Sequence, residues 1–188
     1  ANLLDSLRFA SHPKAHGTNI VFGGSVIAGT RAKKERSKSY NAFSSINYPD
    51  IAVIQDRRIV FYIDDKNHIT DRIRFYHKLD DRVFLLKLIP GSSGAIIDSL
   101  ADTTDALIIE SFGVGGLPDY GDDEFYQAIK RFVEKGKIVI MATQVTHEGS
   151  DMSVYQVGKM IKREFSLLES YDMTLEATVA KTMWALQE

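Results

Sequence analysis

Two apolar runs in the second half of the chain each end abruptly in small polar residues, and this pattern restricts the fold more than any other feature. Residues 106–109 lead into Ser111-Phe112-Gly113-Val114-Gly115-Gly116-Leu117-Pro118, and residues 138–142 lead into Thr143-Gln144-Val145-Thr146-His147-Glu148-Gly149-Ser150. A short continuous apolar run bounded by turn residues fits a strand buried on both faces, as in a parallel sheet covered by helices. Such sheets carry their ligand crevice at the carboxyl ends of the strands. The repetition locates a small ligand and leaves its identity open.

The surrounding sequence supplies the helices. A strand over 83–89 ends in Pro90-Gly91-Ser92-Ser93-Gly94 and is followed by a helix through Ile96, Ile97 and Leu100. Between the next two strands a helix turns Phe125, Ile129, Phe132 and Val133 inward, capped by Asp122 or Asp123 and closed by Gly136. Two more helices follow, one over 154–164 and one from Asp172 with Leu175, Val179, Met183 and Leu186 at helical spacing. Strands alternating with helices make residues 82–188 a small Rossmann-like α/β domain with a parallel sheet.

Residues 1–63 are less regular. The chain opens inside a helical pattern with Leu3, Leu4 and Leu7 on one face, without an initiator Met or a capping signature. The expectation is that further sequence precedes it. Strand 19–22 turns through Gly23-Gly24-Ser25 into Val26-Ile27. The polar, basic stretch 30–47 is too long for a simple connection and is expected to be a functional or disordered loop. Strands 51–55 and 58–63 flank Asp56-Arg57 as a hairpin, and the charged stretch 64–81 is expected to be a linker between domains.

Composition excludes several classes. A net charge of −2 opposes the broad basic face that nucleic acid requires. Cysteine is absent, which removes disulfides and thiolate metal sites and fits a reducing cytoplasm. No apolar run approaches the ~18 residues that would span a membrane. The 5 histidines, His12, His16, His68, His77 and His147, show no metal-ligand spacing, so no metal or other cofactor is expected.

Candidate chemistry is sparse. Gly113-Val114-Gly115-Gly116 invites a dinucleotide reading, but Leu117-Pro118-Asp119-Tyr120 interrupts before the next helix, where the fingerprint needs a helix to open. A tight turn that brings backbone close to a small ligand is the better use of these glycines. His147 with Glu148 reads either as an acid–base pair or as polar residues of an exposed loop. Asp64-Asp65 and Asp80-Asp81 read as solvated linker charge. The cationic run Arg31-Ala32-Lys33-Lys34-Glu35-Arg36-Ser37-Lys38 is a solvated surface loop, or holds a lysine made a better proton acceptor by neighbouring cations and partial burial.

Several blocks in order resemble the bacterial cytoplasmic L-asparaginases. Gly29-Thr30-Arg31-Ala32-Lys33-Lys34 resembles the family's G-N-R-x-x-K, and residues 40–49, from Tyr40 through Asn47 to Pro49, its F-x-A-F-x-S-P-N-x-P. Ser111-Phe112-Gly113-Val114-Gly115-Gly116 is similar to its S-[FY]-G-x-G-N. Thr143-Gln144, Tyr155 with Gly158, and Asp172-Met173-Thr174-Leu175-Glu176-Ala177 fall in the family's order and spacing.

The resemblance implies hydrolysis of L-asparagine to aspartate and ammonia through a threonine acyl-enzyme. It implies that residues 1–63 end a larger amino-terminal α/β domain, and that 82–188 form the carboxyl-terminal domain. It places the family's proton-carrying lysine at Lys34, and substrate contacts at Gly115 and Gly116, there acting in a neighbouring subunit's site. The family's threonines and aspartate lie in TGGT-like and H-G-T-D-T-like loops, neither of which occurs in these residues. The missing amino-terminal segment is thus itself an expected partner, and the chain alone is expected to be inactive. Gly116 stands where many relatives carry Asn, and Ile46 where they carry Pro. The expected assembly is a homodimer or homotetramer, each site joining one subunit's amino-terminal domain to its neighbour's carboxyl-terminal domain. Two other readings stay open: the asparaginase-like, glutamine-hydrolysing subunit of a tRNA-dependent amidotransferase, and a non-catalytic amino-acid-binding module.

Overall fold

The computed structural model describes residues 1–63, 74–118, 124–154 and 156–188. Most of the expected linker, the expected caps Asp122 and Asp123, His68, Asp64-Asp65 and Tyr155 lie outside the described residues. The chain divides into two compact units, Ala1–Phe75 and Tyr76–Glu188.

The first unit opens with helix α1 (Asn2–Ala10) and continues through strands β1 (Asn19–Phe22), β2 (Ser25–Ala28), β3 (Ala32–Lys34), β4 (Phe43–Ser45), β5 (Ala52–Gln55) and β6 (Arg58–Phe61). Strands β1, β2, β5 and β6 pair in that order, antiparallel throughout. The expected hairpin β5–β6 forms, with Ile54 opposite Ile59 and Gln55 opposite Arg58. Its turn residues Asp56 and Arg57 both adopt left-handed backbone, φ 47° and 66°, which suits the twist of a two-residue hairpin.

Leu3, Leu4 and Leu7, which share one face of α1, are exposed, at 75, 52 and 58%. The helix packs instead through its last turn, where Phe9 joins Val26, Ala52 and Ile54 in the core and its ring stands 5.8 Å from that of Phe61. The stretch 30–47 is not an irregular loop: β3 and β4 pair antiparallel, Ala32 with Ser45, Lys33 with Ser44 and Lys34 with Phe43. Ala32, Ala42 and Ile46 are buried there, and these few apolar anchors are diluted by cations and serines in the sequence.

The second unit holds β7 (Val83–Lys87), α2 (Ala95–Leu100), β8 (Ala106–Ser111), α3 (Glu124–Glu134), β9 (Ile138–Thr143), α4 (Gln156–Glu164), β10 (Leu168–Glu169) and α5 (Leu175–Gln187). Its four-stranded sheet has the order β10-β9-β8-β7 and is parallel throughout. Every residue of β8 is buried. Leu107 and Ile109 on one face pack with Val139, Met141, Ile97 of α2 and Phe125, Ile129 and Phe132 of α3. Ile108, Ile140 and Ala142 on the other face meet Leu175 and Val179 of α5. Burying a side chain of this size contributes about 1.5–3 kcal/mol, so β8 anchors the layers on both sides.

Both central strands run one to two residues further than their apolar runs, because Glu110, Ser111 and Thr143 continue the ladder. Helix α5 begins at Leu175, capped by the Thr174 side chain, which accepts from the Ala177 N–H, so Asp172 lies before it. The two-residue β10 is too short to leave a periodic signal.

At the amino-terminal end of this sheet Asp80 is not the solvated linker charge expected. Its side chain is 14% exposed, and Arg82 bridges it at 2.7 Å and Asp105 at 2.5 Å. Lys137 also pairs with Asp105, at 2.9 Å, and donates to the Thr104 carbonyl. These groups tie the starts of β7, β8 and β9 together. Hydrogen bonds from Arg82 hold the Asp80 carboxyl below its ordinary range, and the Lys137 hydrogen bond, with Arg82's charge, does so for Asp105.

Candidate functional site

The carboxyl edge of the parallel sheet is a set of strand ends cross-tied by their own polar groups. Gln144 follows β9, and its Nε2 donates to the carbonyls of Leu88, at 2.6 Å, and Glu110, at 3.1 Å. One side chain therefore spans β7 and β8. Ser111, fully buried, donates its hydroxyl to the Ala142 carbonyl at 2.6 Å. The Thr143 hydroxyl donates to the Gly113 carbonyl and accepts from the Val145 N–H.

The loop after β8 folds into a tight turn. Phe112 and Gly116 exchange backbone hydrogen bonds at 3.0 and 2.7 Å. Gly115 has φ 140°, and a Cβ there would stand 2.9 Å from Cγ of Met152. Only glycine fits that backbone without strain. A Cβ at Gly116 would meet the Phe112 carbonyl at 3.2 Å. The Asp151 N–H donates to the Val114 carbonyl at 2.8 Å, fastening the turn to the segment before α4.

The loop after β9 is fixed just as closely. Glu148 and Gly149 have φ 74° and 79°, and the Ser150 N–H donates to the Tyr171 carbonyl at 3.0 Å. A Cβ on Gly149 would stand 2.2 Å from that carbonyl oxygen. His147 and Glu148 are exposed side chains of this loop, with no described contact between them.

The hydroxyls of Ser111 and Thr143 are thus committed to backbone carbonyls. Among the described residues neither is held by a base that would activate it for attack. The edge presents fixed amides, carbonyls and hydroxyls around a glycine turn, which is what recognition of a small polar ligand needs.

Lys34 belongs to the first unit, on β3 opposite Phe43 of β4. It is exposed, with Nζ 5.9 Å from the centre of the Phe43 ring. Arg31, three residues earlier, stacks over Tyr48 at 5.4 Å, and the Arg31 carbonyl accepts from the Ile46 N–H at 2.8 Å. The lysine block and the following Phe-containing block, separate motifs in the sequence, are the two strands of one hairpin. Lys34 and the pair Gly115 and Gly116 stand in different units.

Sequence reasoning missed Glu169 and understated Gln144. Glu169 lies on β10 with its side chain fully buried, accepting from the Met152 N–H at 2.5 Å and paired with Lys162. Lys162 also reaches the Tyr171 hydroxyl at 3.0 Å, and the Glu169 and Tyr171 hydrogen bonds raise its pKa above the ordinary lysine value. An acidic residue beside a short apolar run carries no signal of this kind in sequence. Among the described residues no group of three or more His, Cys, Asp or Glu side chains is placed to hold a metal ion, and no helix is long and apolar enough to cross a membrane.

Comparison with known families agrees with the two-unit layout. Residues 82–188 match the glutaminase/asparaginase C-terminal domain, and residues 1–67 match the asparaginase N-terminal family. The chain belongs to the asparaginase/glutaminase family. Within it, the L-asparaginase of Thermococcus kodakarensis is 34% identical over 186 residues, covering 98% of this chain and 55% of that enzyme. A glutamyl-tRNA(Gln) amidotransferase subunit from Metallosphaera sedula is 30% identical over 161 residues, 84% of this chain and 36% of that subunit. The solved structure of the thermostable T. kodakarensis L-asparaginase superposes with TM-score 0.83 at 33% identity. That of L-asparaginase I from Vibrio cholerae superposes with TM-score 0.84 at 25% identity, each over 55% of its chain. The chain therefore spans about half the length of these asparaginases.

Proposed function

We propose that the protein to which these residues belong is an L-asparaginase, releasing ammonia from the side-chain amide of L-asparagine. The observation that carries this reading is the likeness to the T. kodakarensis L-asparaginase over 98% of the chain. In the proposed reaction a threonine outside these residues attacks the amide carbon, and the amide nitrogen takes a proton and leaves as ammonia. Water then cleaves the acyl-enzyme to aspartate. Lys34 serves as a proton carrier for the nucleophile, and the Gly115-Gly116 turn meets the substrate. The committed hydroxyls of Ser111 and Thr143 support a binding role for this edge, with the nucleophile supplied from elsewhere.

A second reading is favoured by the glutamyl-tRNA(Gln) amidotransferase subunits, which match at 28–32% identity in Pyrococcus abyssi and Pyrococcus furiosus as well. There the amide consumed is glutamine's, and the ammonia serves a partner. A non-catalytic amino-acid-binding module is separated from both by one experiment on the full-length protein. Calorimetric titration with asparagine, aspartate and glutamine, run beside ammonia detection, should give heat together with ammonia. Binding without ammonia from either amide, also when glutamyl-tRNA and a second protein are supplied, would leave only the module.

A further inference from the structure

We infer that Glu169 is a positioning residue for the glycine turn at 113–116, acting through the backbone of Met152. This rests on the reading that the turn meets substrate, and it adds a residue that no motif marks.

The chain of contacts is short. The Glu169 side chain is fully buried on the edge strand β10. One carboxylate oxygen accepts from the Met152 N–H at 2.5 Å, and the other is paired with Lys162. Met152, itself 2% exposed, starts the single turn Met152–Val154 and lies where its Cγ would be 2.9 Å from any Cβ on Gly115. Its neighbour Asp151 donates to the Val114 carbonyl at 2.8 Å. The Met152 segment therefore touches the glycine turn by packing and by hydrogen bond, and the buried carboxylate fixes that segment from behind.

A charged group taken out of water persists only where it is paired and hydrogen-bonded, so this one specifies a single placement of what it binds. Lys162 pairs with the carboxylate and aims it, since its Nζ is itself steadied by the Tyr171 hydroxyl at 3.0 Å and lies 5.0 Å from that ring's centre. Removing the acceptor releases Met152. The turn then loses its backing while the sheet keeps its ladder.

The test compares Glu169→Met, which keeps the volume and deletes the acceptor, with Glu169→Gln, which keeps an oxygen for the Met152 N–H. Both are made in the full-length protein. Amide hydrogen exchange is the first readout. Amides of 112–116 and 151–154 should exchange at least about tenfold faster in Glu169→Met and within about threefold of the parent in Glu169→Gln, with β8 and β9 unchanged. For asparagine, KM should rise about tenfold in Glu169→Met with kcat within about threefold, and Glu169→Gln should recover most of it. Unchanged exchange at 112–116 in Glu169→Met, or equal loss across β8 and β9, overturns the inference. Should Glu169→Met not fold, the unaltered protein decides: a Met152 amide exchanging as fast as an open loop amide overturns it. Exchange does not depend on turnover, so an inactive parent with the expected exchange pattern defeats the proposed reaction and leaves the positioning role standing.

Discussion

Lys34 and Gly115 make different demands on their surroundings. Lys34 sits on a short strand with its ammonium near a ring face and its side chain exposed, so replacing it removes little packing. On the proposed function, Lys34→Met in the full-length protein should keep the fold and most of the asparagine affinity while kcat falls by on the order of 10²–10⁴, the scale of a lost proton carrier. Lys33→Met and Lys38→Met should be near neutral by the same assay. Loss on Lys33→Met with Lys34→Met neutral would mean that the family register is off by one. Gly115 is the opposite case. Its φ of 140° and the nearby Met152 Cγ make Gly115→Ala costly to the fold itself. Urea denaturation should show a loss of about 1–3 kcal/mol, with a smaller loss for Gly116→Ala, where φ is ordinary and the contact is looser.

At the scale of elements, the amino-terminal ends of β7, β8 and β9 are joined by Asp80, Arg82, Asp105 and Lys137. Both carboxyls are held below their ordinary values in the folded state, chiefly by hydrogen bonds from Arg82 and Lys137. A depressed folded pKa gives stability that is present above the unfolded value of about 3.9 and disappears as pH falls through the folded value. Asp105→Asn should therefore narrow the difference in denaturation midpoint between pH 7 and pH 3, measured in urea at both. An unchanged difference would show that the network is too well solvated to matter.

Elements also show what was legible. The runs ending at Ile109 and Ala142 gave away the parallel sheet, because strands buried on both faces must be almost wholly apolar. The β3–β4 hairpin stayed hidden because three-residue strands leave no period, and its burial rests on Ala32, Ala42 and Ile46. The helix α1 was legible from its leucines, but its packing through Phe9 at the last turn was not, since a single phenylalanine leaves no period. Of the candidate site, the loops were visible as strings of Gly, Ser and Thr. The Gln144 clamp and the Glu169 anchor were not, because the first reaches Leu88, 56 residues away, and the second the Met152 amide, 17 residues away.

For the whole molecule, the proposed reaction draws on Lys34 and the Gly115-Gly116 turn, with the nucleophile proposed to lie outside these residues. The family resemblance implies an intimate dimer or tetramer, so sedimentation of the full-length protein should show a dimer or larger at low micromolar concentration. A fully active monomer would contradict that assembly. The proposed function turns on which amide is consumed, and asparagine and glutamine differ by one methylene. A pocket discriminates one methylene by about 10–200-fold in kcat/KM. The decisive measurement is ammonia release by the purified full-length protein from each amino acid, with and without glutamyl-tRNA. An asparaginase should turn over asparagine without tRNA, with kcat/KM at least about tenfold above that for glutamine. Turnover of glutamine alone, or turnover that appears only with tRNA and a second protein, would refute that assignment.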